Sequence, residues 1–220
     1  MKIVSFNMAG SDKSRHAPSW FTMDHKQAVM KHTLWSMKAH IVVIQECVET
    51  FTLKEYEKIQ NLNTHCGALA VFVHKSVGTV SNVLQSRGSI RCTIESPLKM
   101  DIVALHLEAG SQCAAHRRRA IDKICKDLPS SFVIIGDLNM RAKEATEVEL
   151  ALHATEAGPL VTFDTLNNDF HSNSPLFRCS FDRAFIKGLG VQSFTRVFDE
   201  KVLQDFYLSD HFGIELALRR

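Results

Sequence analysis

The stretch FVIIGDLNMR, residues 132–141, joins a long apolar run to a polar ending. Four consecutive apolar residues at 132–135 are typical of a strand that is covered on both faces. Gly136, the acid Asp137 and the amide Asn139 follow. The end of a strand can hold a carboxylate in a fixed position and still leave it open to a ligand. The stretch therefore predicts a buried strand that delivers polar side chains to a site.

Other apolar runs of the chain end in the same way. We predict strands over residues 2–8, 40–46, 67–74, 89–96, 101–108, 132–139, 181–187 and 213–219. The ends and corners of these runs carry Asn7, Gln45, Glu46, His106, Glu108, Asp137, Asn139, Asp182, Asp210 and His211. Converging carboxylate and amide oxygens are the ligands that Mg²⁺ or Mn²⁺ prefers, and histidine and asparagine side chains suit phosphoryl oxygens. The pattern indicates a metal-assisted hydrolytic site.

Helices fit between some of the strands. We predict them over 24–39, with Asp24 as N-cap and an apolar face that includes Trp35, over 112–128 and over 142–155. Residues 167–178 have the composition of a loop. Mixed sheets with helices packed outside are the expected result, and two such sheets face to face would bury the apolar strands. We therefore expect an α+β fold: a four-layer αββα sandwich of two mixed β-sheets flanked by helices. With no Pro/Gly/Ser-rich linker, residues 1–220 form one catalytic domain.

Composition narrows the possible partners. A formal net charge of +2 and a pI near 8.2 are too balanced to indicate a polyanion partner, so nucleic-acid contacts would need local clusters of charge. The six cysteines have no zinc-finger spacing, which favours a reducing intracellular compartment. No segment is long and apolar enough for a membrane span. The arginines at 117–119 are interpreted as a solvated helix surface, with contact to a phosphate backbone as the less favoured alternative.

An ordered set of short motifs resembles the endonuclease/exonuclease/phosphatase superfamily. The motifs are FN at 6–7, QE at 45–46, HLE at 106–108, GDLN at 136–139, FDR at 181–183 and SDH at 209–211. The resemblance extends from Lys2 to about Leu218. It implies the two-sheet αββα sandwich and hydrolysis of phosphate esters with a divalent metal ion.

Longer segments resemble one branch of that superfamily, the 5′-tyrosyl-DNA phosphodiesterases. They are residues 106–124, 136–146, 161–165 and 177–186. The branch usually has Thr at the position of Leu138 and Trp at that of Phe163. The resemblance implies cleavage of the bond between a topoisomerase tyrosine and a DNA 5′ phosphate, which leaves a 5′ phosphate for repair. It also implies a monomer in the nucleus or cytoplasm that binds DNA ends and does not bind a membrane. It further implies that Arg141 lies near the substrate phosphate.

Attack of water on a phosphodiester needs a metal, a base and hydrogen-bond donors, and the motifs offer candidates for each. We expect Glu46 to be the principal Mg²⁺ ligand, with Mn²⁺ as an alternative, and Asp210 to support the ion. We expect Asp137 to activate water, oriented by Asn7 and accompanied by Asn139.

The remaining candidates face the substrate. His211 would donate to a phosphoryl oxygen, held as imidazolium by Asp182. His106 is either a structural histidine or a phosphate contact, and Arg141 would clamp the phosphate. Phe163 is either a core residue or a platform for the terminal base.

Two alternatives remain open from the sequence. The substrate could instead be that of an abasic-site endonuclease, an RNA deadenylase, or an inositol or sphingolipid phosphodiesterase. The chain could also be a catalytically silent relative that acts as a binding module.

Overall fold

The computed structural model describes residues 1–10, 12, 14–171 and 176–219. The strands of these residues are β1 (Lys2–Asn7), β2 (Ile41–Cys47), β3 (Tyr56–Asn61), β4 (Ala68–His74), β5 (Val80–Ser86), β6 (Ser89–Ile94), β7 (Met100–His106), β8 (Phe132–Asp137), β9 (Thr155–Glu156), β10 (Phe163–Asp164), β11 (Arg178–Cys179), β12 (Asp182–Lys187), β13 (Gly190–Val197) and β14 (Gly213–Arg219). The helices are α1 (Met23–Met37), α2 (Ala114–Ile124), which a 3₁₀ turn at Ser111–Cys113 precedes, and α3 (Ala142–Leu152).

Two six-stranded sheets carry the fold. Their strand orders are β13-β14-β1-β2-β4-β3 and β5-β6-β7-β8-β12-β9, and β10 pairs with β11 in a separate ribbon. The pairs β1–β2 and β7–β8 are parallel, and the other strand pairs are antiparallel. The chain between each parallel pair contains a helix, α1 in the first and α2 in the second, as a crossover connection requires.

The two sheets pack face to face around a shared apolar core. Ile3 and Val43 of the first sheet and Ile102 and Val133 of the second belong to this core. The alternate residues of the same strands point outward and are covered by α1 on one side and by α2 and α3 on the other. This arrangement confirms the predicted αββα sandwich and explains why the strands are apolar on both faces.

The eight predicted strands are present to within two residues at either end. The longer strands absent from the prediction are β3, β5 and β13, which lie at sheet edges. Their side chains are mostly exposed or half-buried, so they lack the apolar pattern that identifies a buried strand. Of the predicted loop 167–178, residues 172–175 lie outside the described residues, and Arg178 begins β11.

Two predictions for the first helix, its N-cap and its buried face, were wrong. Helix α1 is capped by Thr22 instead of Asp24, and it buries Lys26, Met30 and Leu34, whereas Trp35 is 75% exposed. The buried residues are spaced by four, the spacing of a narrow helical stripe.

No helix of the described residues is both long and apolar enough to cross a bilayer.

Arg117 also differs from the prediction of a solvated surface, because its side chain is 1% exposed. Its guanidinium donates to both carboxylate oxygens of Glu144, at 2.9 and 2.7 Å, and to the carbonyls of Glu108 and Gly110, each at 2.8 Å. Arg117 thus ties α2 to α3 and to the segment after β7.

Candidate active site

Strand ends from both sheets meet at one cleft. Asn7 pairs with Gln45 at the end of β1 and β2, and His106 pairs with Asp137 at the end of β7 and β8. The cleft has a volume of about 350 Å³. It is lined by Asn7, Glu46, His65, Cys66, His106, Leu107, Ala109, Gly110, Asp137, Asn139, Phe163, Phe181, Asp210 and His211. Eight of the ten predicted site residues therefore line this cleft, and Asp182 lies directly behind His211.

Asp137 is held from two sides at the floor of the cleft. Gly136 has a φ of +147°, and a Cβ there would lie 2.0 Å from the carbonyl oxygen of Leu105, so only glycine allows the close approach of β8 to β7. One carboxylate oxygen of Asp137 accepts from the Asn139 N–H at 3.0 Å, and the other accepts from Asn7 Nδ2 at 3.1 Å. The carboxylate has little freedom to turn.

Asn7 links Asp137 to Glu46. Its Oδ1 accepts from the Ala9 N–H at 3.0 Å, which fixes the amide so that Nδ2 faces both Asp137 and Glu46 Oε1, the latter at 3.3 Å. Glu46 has a left-handed φ of +50° at an irregularity in the β2–β4 pairing. A Cβ on Gly67 would lie 2.7 Å from Glu46 Cα, so glycine permits this bend. The bend helps place the Glu46 carboxylate at the cleft wall.

His211 and Asp182 form a buried pair. His211 Nδ1 and Asp182 Oδ2 are 2.8 Å apart, and Asp182 is 1% exposed to solvent. Burial alone lowers the pKa of His211, but the charges of Asp182 and then Asp137 outweigh it and hold that pKa well above its ordinary value. The other ring nitrogen, Nε2, lies 3.8 Å from Asp137 Oδ2. The imidazolium is therefore favoured, and it faces the floor of the cleft.

Ser209 positions the segment that carries Asp210 and His211. Its hydroxyl donates to the Asn7 carbonyl at 2.6 Å and accepts from the His211 N–H at 3.2 Å. Asp210 Oδ2 lies 3.3 Å from His171 Nε2. These contacts fix the segment against the end of β1.

The substrate-facing candidates lie in different places. His106 Nε2 is 3.9 Å from both Glu46 Oε1 and Asp137 Oδ2, which puts this ring at the centre of the cleft. Phe163 is half-buried, with its ring centroid 5.1 Å from that of His211 and 5.8 Å from that of Phe181. Arg141 is exposed at the N-cap of α3 and is not among the described residues that line the cleft.

Comparisons with solved structures identify the fold. No family model and no curated protein sequence matches the chain. TDP2 from D. rerio, complexed with single-stranded DNA product, matches with a TM-score of 0.78 at 20% identity, over 100% of this chain and 99% of that chain. Truncated TDP2 from Caenorhabditis elegans matches with a TM-score of 0.77 at 21% identity, over 100% and 97%. An endonuclease/exonuclease/phosphatase family protein from Bacteroides thetaiotaomicron matches at 0.72 and 14%, over 99% and 94%. The chain has the endonuclease/exonuclease/phosphatase fold.

That fold alone does not determine a substrate. A mannosyl-6-phosphatase from Bacteroides thetaiotaomicron matches over 100% of both chains, with a TM-score of 0.74 at 14% identity. A sugar phosphatase and a protein solved with a DNA product thus share the endonuclease/exonuclease/phosphatase fold with this chain. The choice between substrates depends on the side chains around the cleft.

Four residues near the cleft were absent from the sequence prediction. His65 and Cys66 line it, His171 contacts Asp210, and Lys26 is buried on α1. His65, Cys66 and His171 lie in polar connecting segments, and Lys26 is a lone charge within a helix. No motif or periodicity distinguishes them, because their positions depend on how the elements of this fold pack.

The acidic residues at the cleft differ in burial: Asp137 and Asp182 are buried, and Glu46 and Asp210 are more exposed. Asp137, Asp182 and His211 each bring one possible ligand atom within 4.8 Å of the others. Asp182 and His211 form a buried hydrogen-bonded pair, and Asp137 Oδ2 lies 3.8 Å from His211 Nε2. Glu46 and Asp210 are more open, with side chains 22% and 24% exposed. Carboxylate oxygens are ligands that a hard divalent cation prefers.

Proposed function

We propose that this chain is a Mg²⁺-dependent phosphodiesterase that hydrolyses the 5′-phosphotyrosyl bond between a topoisomerase-derived tyrosine and a DNA 5′ end. The main support is the convergence of Glu46, Asp137 and His211, from distant segments, in one cleft. The fold shared with TDP2 solved with a single-stranded DNA product adds to it. On this proposal the protein acts as a monomer in DNA repair, in the nucleus or cytoplasm.

Asp137 is the proposed base. Its two hydrogen bonds, from Asn139 and Asn7, leave the carboxylate fixed at the floor of the cleft. It would orient a water molecule and accept its proton as the water oxygen attacks phosphorus. The bond from phosphorus to the tyrosine oxygen breaks, which releases the tyrosine as a phenolate that takes a proton from solvent, and leaves a 5′ phosphate.

His211 is the proposed donor to a nonbridging phosphoryl oxygen. Asp182 holds the ring by its Nδ1, so that Nε2 faces the cleft as part of an imidazolium. A fixed positive donor stabilises the charge that develops in the transition state. His106, whose Nε2 lies 3.9 Å from the carboxylates of Glu46 and Asp137, would contact a second phosphoryl oxygen.

Glu46 and Asp210 are the proposed ligands of Mg²⁺, or of Mn²⁺ in its place. When bound, the ion would supply Lewis-acid stabilisation of the phosphoryl charge. Asn7 would orient Glu46 as well as Asp137, because its Nδ2 donates to both.

An aromatic wall supports a nucleic-acid substrate over a sugar phosphate. Phe163, Phe177 and Phe181 lie with ring centroids between 5.8 and 6.1 Å apart beside His211. Such rings can stack on a base or on a leaving tyrosine. Arg141, exposed at the start of α3, would reach the substrate phosphate from outside the cleft wall.

A substrate panel with Mg²⁺ tests the proposal. It contains a 5′-phosphotyrosyl single strand, an abasic duplex, poly(A) and mannose 6-phosphate. We expect release of tyrosine and a 5′ phosphate from the first. Exclusive cleavage of the abasic duplex or of mannose 6-phosphate would refute the proposed substrate.

A calorimetric titration with Mg²⁺ separates an enzyme from a silent binding module. We expect the wild-type chain to take up Mg²⁺ and Glu46→Gln to bind it far more weakly. Absence of uptake in the wild type, or equal uptake in Glu46→Gln, would contradict the proposed metal centre.

A further inference from the structure

Lys26 is a buried cation whose hydrogen bond and ring contact, among the described residues, both go to uncharged groups. Its side chain lies on α1 and is 1% exposed. The ammonium donates to the backbone carbonyl of Asp12 at 2.6 Å and lies 5.5 Å from the ring centroid of Phe170. Lysine is almost never fully buried without a paired charge, so this position needs an explanation.

The first of these contacts leads to Glu46. Asp12 follows Gly10 by two residues, and Asp12 N donates to the Ala9 carbonyl at 2.8 Å in a tight turn. A Cβ on Gly10 would lie 3.3 Å from Glu46 Oε2, so this turn packs directly against the Glu46 carboxylate. Lys26 therefore lies behind the turn that borders Glu46.

The second contact leads to Asp210. Phe170 precedes His171, and His171 Nε2 lies 3.3 Å from Asp210 Oδ2. The rings of Phe170 and His171 are also in edge contact, with centroids 4.9 Å apart. The ammonium of Lys26 thus lies between two segments, one packed on each proposed metal ligand.

The charge is retained at neutral pH. Burial lowers the pKa of Lys26 to about 8, and the negative charges of Asp210, Asp12 and Glu46 oppose this fall. A group with a pKa of about 8 is mainly protonated at pH 7. The buried position therefore holds a positive charge within the electrostatic field of Glu46 and Asp210.

We propose that Lys26 is a positioning residue whose fixed charge tunes the affinity of the metal centre, an inference that rests on the proposed binding of a divalent ion by Glu46 and Asp210. Before the ion binds, the ammonium is attracted by the negative charges of both carboxylates. Once the ion binds, the same charge repels it through a medium of low dielectric constant. The centre consequently binds its ion less tightly than the carboxylates alone would, and it releases that ion more readily.

Calorimetric titration of the full chain with Mn²⁺ tests this role. Lys26→Met keeps the apolar stem and removes the charge, so we expect Mn²⁺ to bind about tenfold more tightly than in the wild type. Lys26→Gln also removes the charge but keeps an amide donor for the Asp12 carbonyl, and it should show the same increase. If only one of the two variants folds, as judged by circular dichroism, that variant decides the result.

A matched control comes from the same helix. Lys31→Met removes a lysine whose ammonium lies 5.3 Å from the Phe51 ring, and we expect its Mn²⁺ affinity to equal that of the wild type. A purely structural role for Lys26 predicts equal or weaker Mn²⁺ binding in the neutral variants, and either result would overturn the inference. Failure of the wild type to take up Mn²⁺ would instead refute the proposed metal centre itself.

Discussion

Replacing Asp182 with asparagine isolates the charge behind His211. The change keeps the shape of the side chain and an oxygen that can accept from His211 Nδ1, at the observed distance of 2.8 Å. It removes the negative charge that contributes most to raising the pKa of His211. We expect the variant to fold and to hold the ring in place, but with a weaker donor toward the phosphate.

The size of the effect follows from the charge that this hydrogen bond loses. A hydrogen bond to a charged group contributes about 1.5–3 kcal/mol and one between neutral groups about 0.5–1.5 kcal/mol, so the variant gives up about 1–1.5 kcal/mol. Since about 1.4 kcal/mol corresponds to a factor of ten in rate, kcat should fall roughly 5- to 13-fold. KM should change little, because Asp182 lies behind His211 and does not face the substrate.

The assay is steady-state release of tyrosine from a 5′-phosphotyrosyl single strand at saturating Mg²⁺. Asp101→Asn is the matched control, because Asp101 is also buried and pairs with Arg91 at 2.7 Å, but at the opposite end of β7 from the cleft. The control should lose stability and keep its kcat. A kcat for Asp182→Asn within threefold of the wild type, or an equal loss in Asp101→Asn, would refute the orienting role.

Three further predictions concern stability. Arg117→Met should lower the free energy of unfolding by about 3–5 kcal/mol in urea titrations, because Glu144 loses its partner, whereas Arg118→Met, at a half-buried residue of the same helix, should change it by at most about 0.5 kcal/mol. Burial lowers the pKa of His40, so the unfolded chain binds this proton more readily and stability falls as pH drops below about 6.5. His40→Gln should therefore flatten the dependence of Tm on pH between 7 and 5, and an unchanged slope would contradict this. Gly136→Ala should prevent folding, because its Cβ would meet a β7 carbonyl at 2.0 Å, and a Tm within a few degrees of the wild type would disprove it.

The sequence predicted the buried strands of the two sheets better than their edge strands. Strands β2 and β8 each begin with four consecutive apolar residues because both of their faces are covered, and this pattern can be recognised without a structure. Strands such as β3 and β13 are stabilised by pairing at a sheet edge, so their sequences carry no equivalent pattern. Trp35 shows the same limit, because helical periodicity cannot specify which residues of a weakly amphipathic helix face the sheet.

The predicted site residues were legible because strand ends are local features. That Asp137 follows a buried strand can be read from residues 132–139, and a parallel partner brings His106 beside it. Lys26 and Arg117 could not be predicted, because a buried charge is identified only by its partners. The partner of Arg117 on α3, Glu144, is 27 residues away, and no local pattern marks it.

The hydroxyl of Ser209 joins two residues that are 202 positions apart in the chain. A chain still emerging from the ribosome would carry Asn7 and Glu46 long before it could bring His211 to them. On the proposed function, the chemistry would therefore begin only when β14 pairs with β1, so that partly synthesised chains would be inactive.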